Sequence, residues 1–272
     1  MQIQMVTFSE PKEGNAPGEW QDGACGGVVG DGTAVPGRAR FVVLDGATGA
    51  YDPVRWVDQL VRSFAPQAGE YEGPRLEPAA MRAWFAEMQD QWAVDVRAFD
   101  SIIEERKFAE VGSFATLLGF EISGLDGPEP YWRAVALGDT VLFHVRAGRL
   151  IATFPPMGPD DFGTLPDGVH TLRSSLDRMT ERLLVGGGVL EAGDFLFAAT
   201  DAMAQWILRT IERDEAKLWN TLTTLAHPDV FARLVEDQRR EQNSAKRMKN
   251  DDVTLMRLRM LAGQPAFLLA CR

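Results

Sequence analysis

The sequence contains few of the residues that build disulfide frameworks and zinc sites. Its 272 residues include two cysteines, Cys25 and Cys271, and three histidines, His144, His170 and His227. Two cysteines so far apart exclude a disulfide framework and a zinc site of paired cysteines. No two histidines have the spacing of ligands on one helix, which argues against a histidine-based zinc hydrolase.

Membrane-length apolar runs and an excess of positive charge are also missing. No apolar run approaches the roughly 20 residues that span a bilayer, and the N-terminus lacks the basic and apolar segments of a signal peptide. We therefore expect a cytoplasmic protein with no membrane partner. Lysine and arginine total 28 against 39 acidic residues, a net charge of −11. This balance disfavours nucleic-acid binding, which depends on a cationic surface, and permits a carboxylate site for hard cations.

The composition that is present is that of a globular protein. Hydrophobic residues make up 45% of the chain and charged residues 25%, which excludes a wholly disordered chain. No internal repeat, low-complexity segment or composition break marks a linker. We therefore predict a single domain over residues 1–272.

Hydrophobic periodicity predicts a mixture of strands and helices. Short apolar runs predict strands at 40–44, 114–122, 132–137, 140–145, 150–154, 195–199 and 253–260. Apolar stripes at helical spacing predict helices that begin at Pro53 and then lie near 78–99, 172–183, 203–211, 214–225 and 229–240. Residues 9–37 are predicted to form loops around short strands. The triple glycine at 186–188 lacks the lysine and hydroxyl residue of a phosphate-binding loop and is predicted to form a turn.

Three aspartates occupy the ends of predicted buried strands. Asp45 and Asp201 follow their strands, and Asp251 precedes its own. Strand ends of opposite direction can meet at one rim of a β-sandwich, where three carboxylates would repel one another unless a cation joined them. Oxygen ligands alone favour Mg²⁺ or Mn²⁺ over zinc. Each aspartate by itself is also typical of a turn or a cap.

The residues around these aspartates extend the pattern over most of the chain. Four segments carry it: Val-Val-Leu-Asp-Gly-Ala-Thr-Gly at 42–49, Trp-Arg-Ala-Val-Ala-Leu-Gly-Asp-Thr-Val at 132–141, Leu-Glu-Ala-Gly-Asp-Phe-Leu-Phe-Ala-Ala-Thr-Asp-Ala at 190–202 and Asp-Asp-Val-Thr-Leu at 251–255. A Gly-Ser-Phe-Ala-Thr stretch at 112–116 adds to them. In this order the segments resemble those of the metal-dependent protein phosphatases (PPM, or type 2C serine/threonine phosphatases), as in a divergent, bacterial-like member.

The resemblance implies an α+β fold and a binuclear metal centre. The fold is a central antiparallel β-sandwich flanked by helices on both faces, in four layers. The centre lies at one end of the sandwich and holds two Mn²⁺ or Mg²⁺ ions. Asp45 would bridge the two metals, the Gly46 carbonyl would bind one of them, and Asp201 and Asp251 would hold the other. Asp252 takes the position of a neighbouring asparagine.

Near the N-terminus the chain departs from the family's pattern. Where the family has Asn-Glu-Asp, Gln21 replaces the acidic residue that contacts the second metal through water, and Asp22 matches the final aspartate. Lys12 is the nearest cation to the family's upstream arginine, and a lysine lacks the bidentate grip of arginine on phosphate. Asp22 and Gln21 are thus candidate supporting residues, and Lys12 is the candidate phosphate-binding residue.

Three further departures lie beside the proposed ligands. Ala47 stands where some members carry a histidine that protonates the leaving group, so water would have to donate that proton. Ala202 replaces the glycine after Asp201, and Gln205 replaces an aspartate that many members use for a third metal. We therefore expect a third metal site to be weak or absent.

The reaction that the resemblance implies is direct hydrolysis of phosphoserine or phosphothreonine in proteins. A metal-bound water would be the nucleophile, with no side-chain nucleophile. The partners would be a phosphorylated protein substrate and a cognate serine/threonine kinase.

Two other functions stay open at this point. The departures at Gln21, Ala47, Ala202 and Gln205 favour a catalytically impaired protein of the same fold that binds a phosphorylated partner or regulates a kinase. A phosphatase of small molecules would use the same centre with a different rim. The basic residues between 239 and 249 are predicted to form a solvated surface or to guide an anionic phosphopeptide.

Overall fold

The computed structural model describes residues 1–28, 37–65, 73–94, 99–163 and 166–269. Its strands are β1 (Gln2–Glu10), β2 (Gly23–Val28), β3 (Arg38–Leu44), β4 (Phe114–Ala115), β5 (Leu117–Ser123), β6 (Tyr131–Leu137), β7 (Val141–Arg146), β8 (Arg149–Phe154), β9 (Val169–His170), β10 (Leu184–Val189), β11 (Phe195–Ala199), β12 (Val253–Leu261) and β13 (Ala266–Leu269). Its α-helices are α1 (Pro53–Phe64), α2 (Pro78–Val94), α3 (Ile102–Arg106), α4 (Leu176–Arg182), α5 (Asp201–Thr224) and α6 (Pro228–Arg239). Short 3₁₀ or π turns lie at Pro17–Glu19, Lys107–Val111 and Arg173–Ser175.

Two β-sheets form the centre of the fold. One contains β13, β1, β12, β11, β7 and β8 in that order, and the other contains β10, β6, β5, β3 and β2. Neighbouring strands run antiparallel, except that β1 and β13 are parallel. β4 and β9 form a separate two-stranded ladder.

Three hydrophobic clusters hold four layers together. Phe41, Phe120 and Met256 belong to the cluster between the sheets and are fully buried. Trp219 belongs to the cluster between α5, α6 and the first sheet, and Trp56 to the one between α1, α2 and the second sheet. Each large side chain buried in this way stabilises the fold by about 1.5–3 kcal/mol. A sandwich covered by helices on both faces confirms the predicted α+β class.

Helix boundaries follow local signals in the sequence. Pro53 begins α1, and the Asp52 carboxylate accepts a hydrogen bond from the Arg55 amide (3.4 Å), as an N-cap does. Non-helical backbone at Asp214 (φ −158°, ψ 74°) interrupts α5, which agrees with the prediction of two helical segments there. The helix predicted to reach residue 99 ends at Val94, and residues 95–98 lie outside the described ranges. No helix within those ranges is long and apolar enough to cross a membrane.

The turn predicted at the triple glycine is wrong. Residues 186–188 lie inside β10, which pairs with β6. A Cβ on Gly186 would lie 2.5 Å from the Phe154 ring, and one on Gly188 would lie 2.8 Å from the Trp132 indole nitrogen. The glycines therefore make room for aromatic rings against the strand, which the sequence pattern alone does not reveal.

The N-terminal region contains more strand than the sequence predicts. β1 is not predicted, yet it lies between β13 and β12 in the first sheet and extends to Glu10. Within the stretch predicted as loops around short strands, β2 carries Cys25, and residues 29–36 fall outside the described part of the chain. Gln2 and Gln4 alternate with the buried Ile3 and Met5, as in a strand covered on one face, and a prediction based on short apolar runs misses this pattern.

Several strand ends meet at one rim of the sandwich. Ala199 of β11 pairs with Leu255 of β12 and with Val141 of β7, so β11 ends where β12 and β7 begin. In the second sheet, Val43 of β3 pairs with Leu118 of β5, so β3 ends where β5 begins. The connections that follow β3 and β11, and those that precede β7 and β12, therefore have the geometry to surround one site.

Candidate metal centre

A cavity of about 580 Å³ opens at this rim. Its wall contains all four principal candidate ligands, Asp45, Gly46, Asp201 and Asp251, together with Lys249. Residues that are distant in the sequence thus face one pocket, as the strand-end argument predicted.

The turn after β3 fixes Asp45 and Gly46 through the neighbouring strands. The Thr116 amide donates to the Asp45 carbonyl (2.9 Å), and the Asp45 amide donates to the Thr116 hydroxyl (3.2 Å). Gly46 forms an isolated bridge with Ala115. A Cβ at Gly46 would lie 2.5 Å from the Gln21 carbonyl oxygen, so a larger residue would displace the turn. Backbone contacts therefore determine where the Asp45 carboxylate enters the cavity.

Asp201 is the first residue of α5 and comes directly after β11. Thr200 is the N-cap residue, and the helix continues for 24 residues with one interruption. The Asp201 carboxylate accepts a hydrogen bond from the Ala202 amide. The partial positive charge of a helix N-terminus interacts favourably with a carboxylate at this position. The fold thus presents a nearly buried anion, with 10% of its side chain exposed, at the cavity wall.

Asp22 lies beneath the cavity and is held by two threonines. Its Oδ2 accepts hydrogen bonds from the Thr200 hydroxyl (3.0 Å) and the Thr254 hydroxyl (2.7 Å). Its Oδ1 is buried and has no hydrogen-bond partner among the described residues. Burial raises the pKa of Asp22 well above its usual range, and the nearby Asp252 raises it further. A buried carboxylate oxygen without a hydrogen-bond partner can coordinate a cation or accept a hydrogen bond from a water bound to that cation.

Asp45 and Asp139 are repelled by the neighbouring carboxylates of the rim. Burial raises the pKa of Asp45 well above its usual range, and the carboxylates of Asp22, Asp201, Asp139 and Asp251 raise it further. Burial and the Asp201 charge raise the pKa of Asp139 to about 7. Such shifts mean that the rim, without a bound cation, holds more negative charge than its surroundings stabilise.

Lys249 occupies the gap between two of the candidate ligands. Its ammonium donates to Asp201 Oδ2 at 2.7 Å and lies 2.9 Å from Asp251 Oδ2. Burial lowers the pKa of this amine, but the two carboxylates outweigh burial and raise the pKa overall. Lys249 stays partly solvated, with 49% of its side chain exposed, while its ammonium pairs with both carboxylates. The expectation of a solvated basic surface is wrong for Arg239, whose guanidinium donates to the carbonyls of Pro11 and Asp251.

The donor set beside Asp45 fits a hydrated divalent cation. Within the described ranges, no group of three or more histidine, cysteine, aspartate or glutamate side chains is arranged to hold a metal ion. Mg²⁺ keeps several waters and commonly uses only one or two carboxylates. A site composed of Asp45, the Gly46 carbonyl and water, above the unpartnered Asp22 Oδ1, would not need such a group.

The Asp201 and Asp251 pair does not fit a second cation in this arrangement. Oxygen ligands lie about 2.0–2.1 Å from Mg²⁺, and both carboxylates already contact the Lys249 ammonium. A second metal ion between them would meet a like charge at close range. The part of the candidate centre at Asp45 and Gly46 therefore fits a divalent cation, whereas the part at Asp201 and Asp251 does not.

The supporting residues predicted from the sequence stand beside the cavity, outside its described wall. Asp252 accepts hydrogen bonds from the backbone amides of Lys12 and Gln21, both at 2.8 Å. The Gln21 side chain accepts a hydrogen bond from the Thr48 hydroxyl (3.1 Å). The Lys12 amine lies 3.9 Å from Asp251 Oδ1. Asp252 thus joins the N-terminal loop to β12, whereas Asp251 faces the cavity.

The structure shows the contacts of three residues that depart from the family's pattern. Ala47 lines the cavity, and its amide donates to the Phe114 carbonyl (3.0 Å). The side-chain amide of Gln205 donates to the Pro159 carbonyl (3.0 Å) and so anchors a loop. Ala202 lies in the first turn of α5 and is buried in the core. A weak or absent third metal site stays a prediction.

Several ionisable residues of the cavity wall are missing from the sequence-based set of site residues, among them Asp139, His170 and Arg178. Asp139 follows Gly138, whose φ of 110° forms the turn before β7, and its Oδ1 has no partner among the described residues. Its place in a family-like segment could have identified it. His170 and Arg178 reach the cavity only through the β9 and α4 packing, which no spacing in the sequence indicates.

Comparison by sequence gives no match. No protein-family model matches the chain, and no curated protein matches it.

Comparison by structure gives matches over nearly the whole chain. The S. agalactiae serine/threonine phosphatase is similar with a TM-score of 0.57 and 14% identity, over 95% of this chain and 99% of that chain. The Mycobacterium tuberculosis serine/threonine phosphatase PstP/Ppp is similar with a TM-score of 0.56 and 13% identity, over 96% of this chain and 99% of that chain. The catalytic domain of PstP in complex with 2 manganese ions gives a TM-score of 0.55 and 15% identity, over 96% and 99%. At these identities the likeness establishes the fold.

Proposed function

From the fold of the type 2C serine/threonine phosphatases, which this chain has, we propose a divalent-cation-dependent phosphatase that hydrolyses phosphoserine or phosphothreonine in proteins. The observation that carries this proposal is the presence of Asp45, Asp201 and Asp251 in the wall of one cavity. A phosphorylated protein would be the substrate, and a serine/threonine kinase would produce it.

Each part of the cavity has a role in this reaction. Asp45 and the Gly46 carbonyl would hold Mn²⁺ or Mg²⁺, and Asp22 would accept a hydrogen bond from below. The ion, when bound, lowers the pKa of a water so that hydroxide is available near neutral pH. Arg178, which lies in the cavity wall, can bind phosphate oxygens through its planar guanidinium. Arg178 also pairs with Asp167 at 2.8 Å, and it is a second candidate for binding phosphate beside Lys12, whose amine lies near Asp251.

No side chain of the described wall is needed as a nucleophile. Cys25 lies in β2, its thiol donates to the Ala65 carbonyl (3.5 Å), and burial raises its pKa. A thiol with a raised pKa is a poor nucleophile at neutral pH. Because Ala47 carries no acid group, solvent water would protonate the leaving oxygen. Slow turnover of substrates with basic leaving groups is therefore expected.

The direct test is hydrolysis of p-nitrophenyl phosphate and of phosphoserine, phosphothreonine and phosphotyrosine peptides, with Mn²⁺ and with EDTA. We expect cation-dependent turnover that Asp45→Ala reduces at least about 100-fold, because the ion loses its central ligand. Asp237→Asn, at an exposed carboxylate of α6, is the matched control and should match the wild type. Equal rates in Asp45→Ala and the wild type would contradict the proposal. Turnover of small phosphoesters without phosphopeptides would indicate a small-molecule phosphatase.

One observation favours a second function. The Lys249 ammonium already neutralises Asp201 and Asp251, which favours a protein of this fold that binds a phosphorylated partner or regulates a kinase without turnover. Phosphopeptide binding that survives EDTA, together with no hydrolysis under any cation or pH, would select this alternative.

A further inference from the structure

The position of Lys249 is the least expected feature of the cavity. Its ammonium lies 2.7 Å from Asp201 Oδ2 and 2.9 Å from Asp251 Oδ2. These carboxylates lie on different elements, one at the start of α5 and the other just before β12. The amine therefore bridges two strand ends in the way a bound cation would.

The backbone around Lys249 is anchored, although the side chain itself is 49% exposed. The preceding Met248 is 2% exposed, and its amide donates to the Gln238 carbonyl (3.0 Å). The Asp251 amide donates to the Lys249 carbonyl (3.1 Å), and Arg239 donates to the Asp251 carbonyl. The loop thus holds the stem of Lys249 next to the two carboxylates that the side chain neutralises.

The charges of the cavity wall favour one ion beside this lysine. Among the described residues, the charges that act on Asp45 are those of other carboxylates, whereas Lys249 contacts Asp201 and Asp251 and also acts on Asp139. A divalent ion beside Asp45 would neutralise the carboxylate that the amine does not contact. A further ion between Asp201 and Asp251 would have to displace two charge-assisted contacts.

We propose that Lys249 is a tethered cation that takes the place of one of two metal ions, so that the centre binds a single divalent ion beside Asp45 and Gly46. The proposal rests on the proposed function for the identity of that ion as Mn²⁺ or Mg²⁺. Lys249 is a positioning residue in this arrangement, because it holds Asp201 and Asp251 apart from the bound ion.

The experiment counts Mn²⁺ ions bound to the full chain by equilibrium dialysis and isothermal titration calorimetry. The wild type should bind one ion, and Lys249→Met should bind two, with the added site at least about tenfold tighter than any second binding in the wild type. Lys249→Arg keeps the charge and should bind one. Lys246→Met, an exposed lysine in the same loop, is the matched control and should also bind one.

The possible outcomes separate this inference from the proposed function. Two ions in the wild type, or one ion in a folded Lys249→Met, would overturn the inference and leave the phosphatase proposal standing. One ion in the wild type and two in Lys249→Met would support the inference even if no phosphoester were hydrolysed. No ion in any variant would overturn both. If Lys249→Met fails to fold, Lys249→Gln provides the same neutral side chain with a hydrogen-bonding end.

Discussion

At the scale of single residues, the rim depends on carboxylates whose charges are unequally compensated. Asp201 and Asp251 contact the Lys249 ammonium, whereas Asp139 is 4% exposed and has an unpartnered Oδ1 among the described residues. Asp139 should therefore keep its proton at pH values where an ordinary aspartate has lost it.

The stability of the cation-free protein should fall as pH rises from about 4 to about 7, in part through Asp139. Its pKa of about 7 in the folded state, against 3.8 ordinarily, means that folded chains retain a proton that unfolded chains have released. The side chain of Asp139→Asn cannot ionise at this position. At pH 8 in EDTA, the free energy of unfolding of this variant should therefore exceed that of the wild type by at most about 4 kcal/mol. The difference should vanish near pH 4.

Urea denaturation at several pH values in EDTA measures this dependence. Asp237→Asn, at an exposed site, should follow the wild type throughout. If Asp139→Asn kept the wild-type pH dependence, Asp139 would not be the group that titrates.

Asp45, Asp201 and Lys249 show how much of the rim the sequence predicts. The ends of apolar strands indicated the positions of Asp45 and Asp201, because strand ends of a sandwich share a rim. Lys249 was predicted to be solvated and its side chain is 49% exposed, but nothing in a charged, polar stretch indicates that its ammonium pairs with two carboxylates.

At the scale of elements, the end of β11 opposite the cavity is secured by a buried ion network. Asp194, fully buried just before β11, accepts hydrogen bonds from His144 Nε2, Arg146 and the Glu191 amide, all at 2.8 Å. His144 and Arg146 belong to β7, so the network joins β7 to the turn before β11. Hydrogen bonds from Arg146, the Glu191 amide and His144 outweigh burial and lower the pKa of Asp194.

Asp194→Asn should destabilise the fold by about 3 kcal/mol, because it leaves buried donors without their charged partner. Because the folded pKa is depressed, this contribution is present above the ordinary value of 3.8 and is lost as pH falls through the folded pKa. The measurement is the free energy of unfolding in urea at pH 7 and at pH 3. The difference between Asp194→Asn and the wild type should be smaller at pH 3.

An exposed ion pair supplies the control for this prediction. Asp177 pairs with Arg82 at 2.7 Å with side chains 81% and 43% exposed, so Asp177→Asn should cost less than about 1 kcal/mol. Equal losses in the two variants would contradict a special role for the buried network.

The elements that the sequence does not predict share one physical cause. β10 is rich in glycine, which normally weakens strands, yet Gly186 and Gly188 face the rings of Phe154 and Trp132. In β2, a Cβ on Gly26 would lie 2.4 Å from the Phe41 ring. These glycines are required by tertiary packing, and a pattern along the chain carries no information about which ring crosses a strand.

At the scale of the whole molecule, the predicted four-layer sandwich came from the resemblance to the type 2C phosphatases, and the burial of β3 agrees with it. In β3, Phe41 and Val43 face the other sheet, whereas Val42 and Leu44 face α1. A continuous apolar run of this kind indicates a strand covered on both faces, but it does not by itself give the order of the layers.

A bound cation should stabilise the rim through Asp45, which would hold the ion. Asp45 follows β3 and is joined by hydrogen bonds of its backbone to Thr116, just before β5. At a Mn²⁺ concentration 100 times the dissociation constant, we expect about 2.7 kcal/mol of added stability. For a chain of this size that corresponds to roughly 5 °C or more in Tm.

Differential scanning calorimetry with Mn²⁺ and with EDTA measures the shift. Asp45→Asn should lose most of it, and Asp237→Asn should keep it. A shift of the same size in Asp45→Asn would mean that Mn²⁺ stabilises the chain from another place.

The lysine bridge also bears on how the protein matures. An ammonium on a side chain is synthesised with the polypeptide, whereas manganese must be acquired from the surroundings. Since Lys249 spans Asp201 and Asp251, the start of α5 and the start of β12 are joined before any trace element arrives. Under the function proposed above, a shortage of manganese would therefore abolish activity, while that end of the sandwich would stay folded.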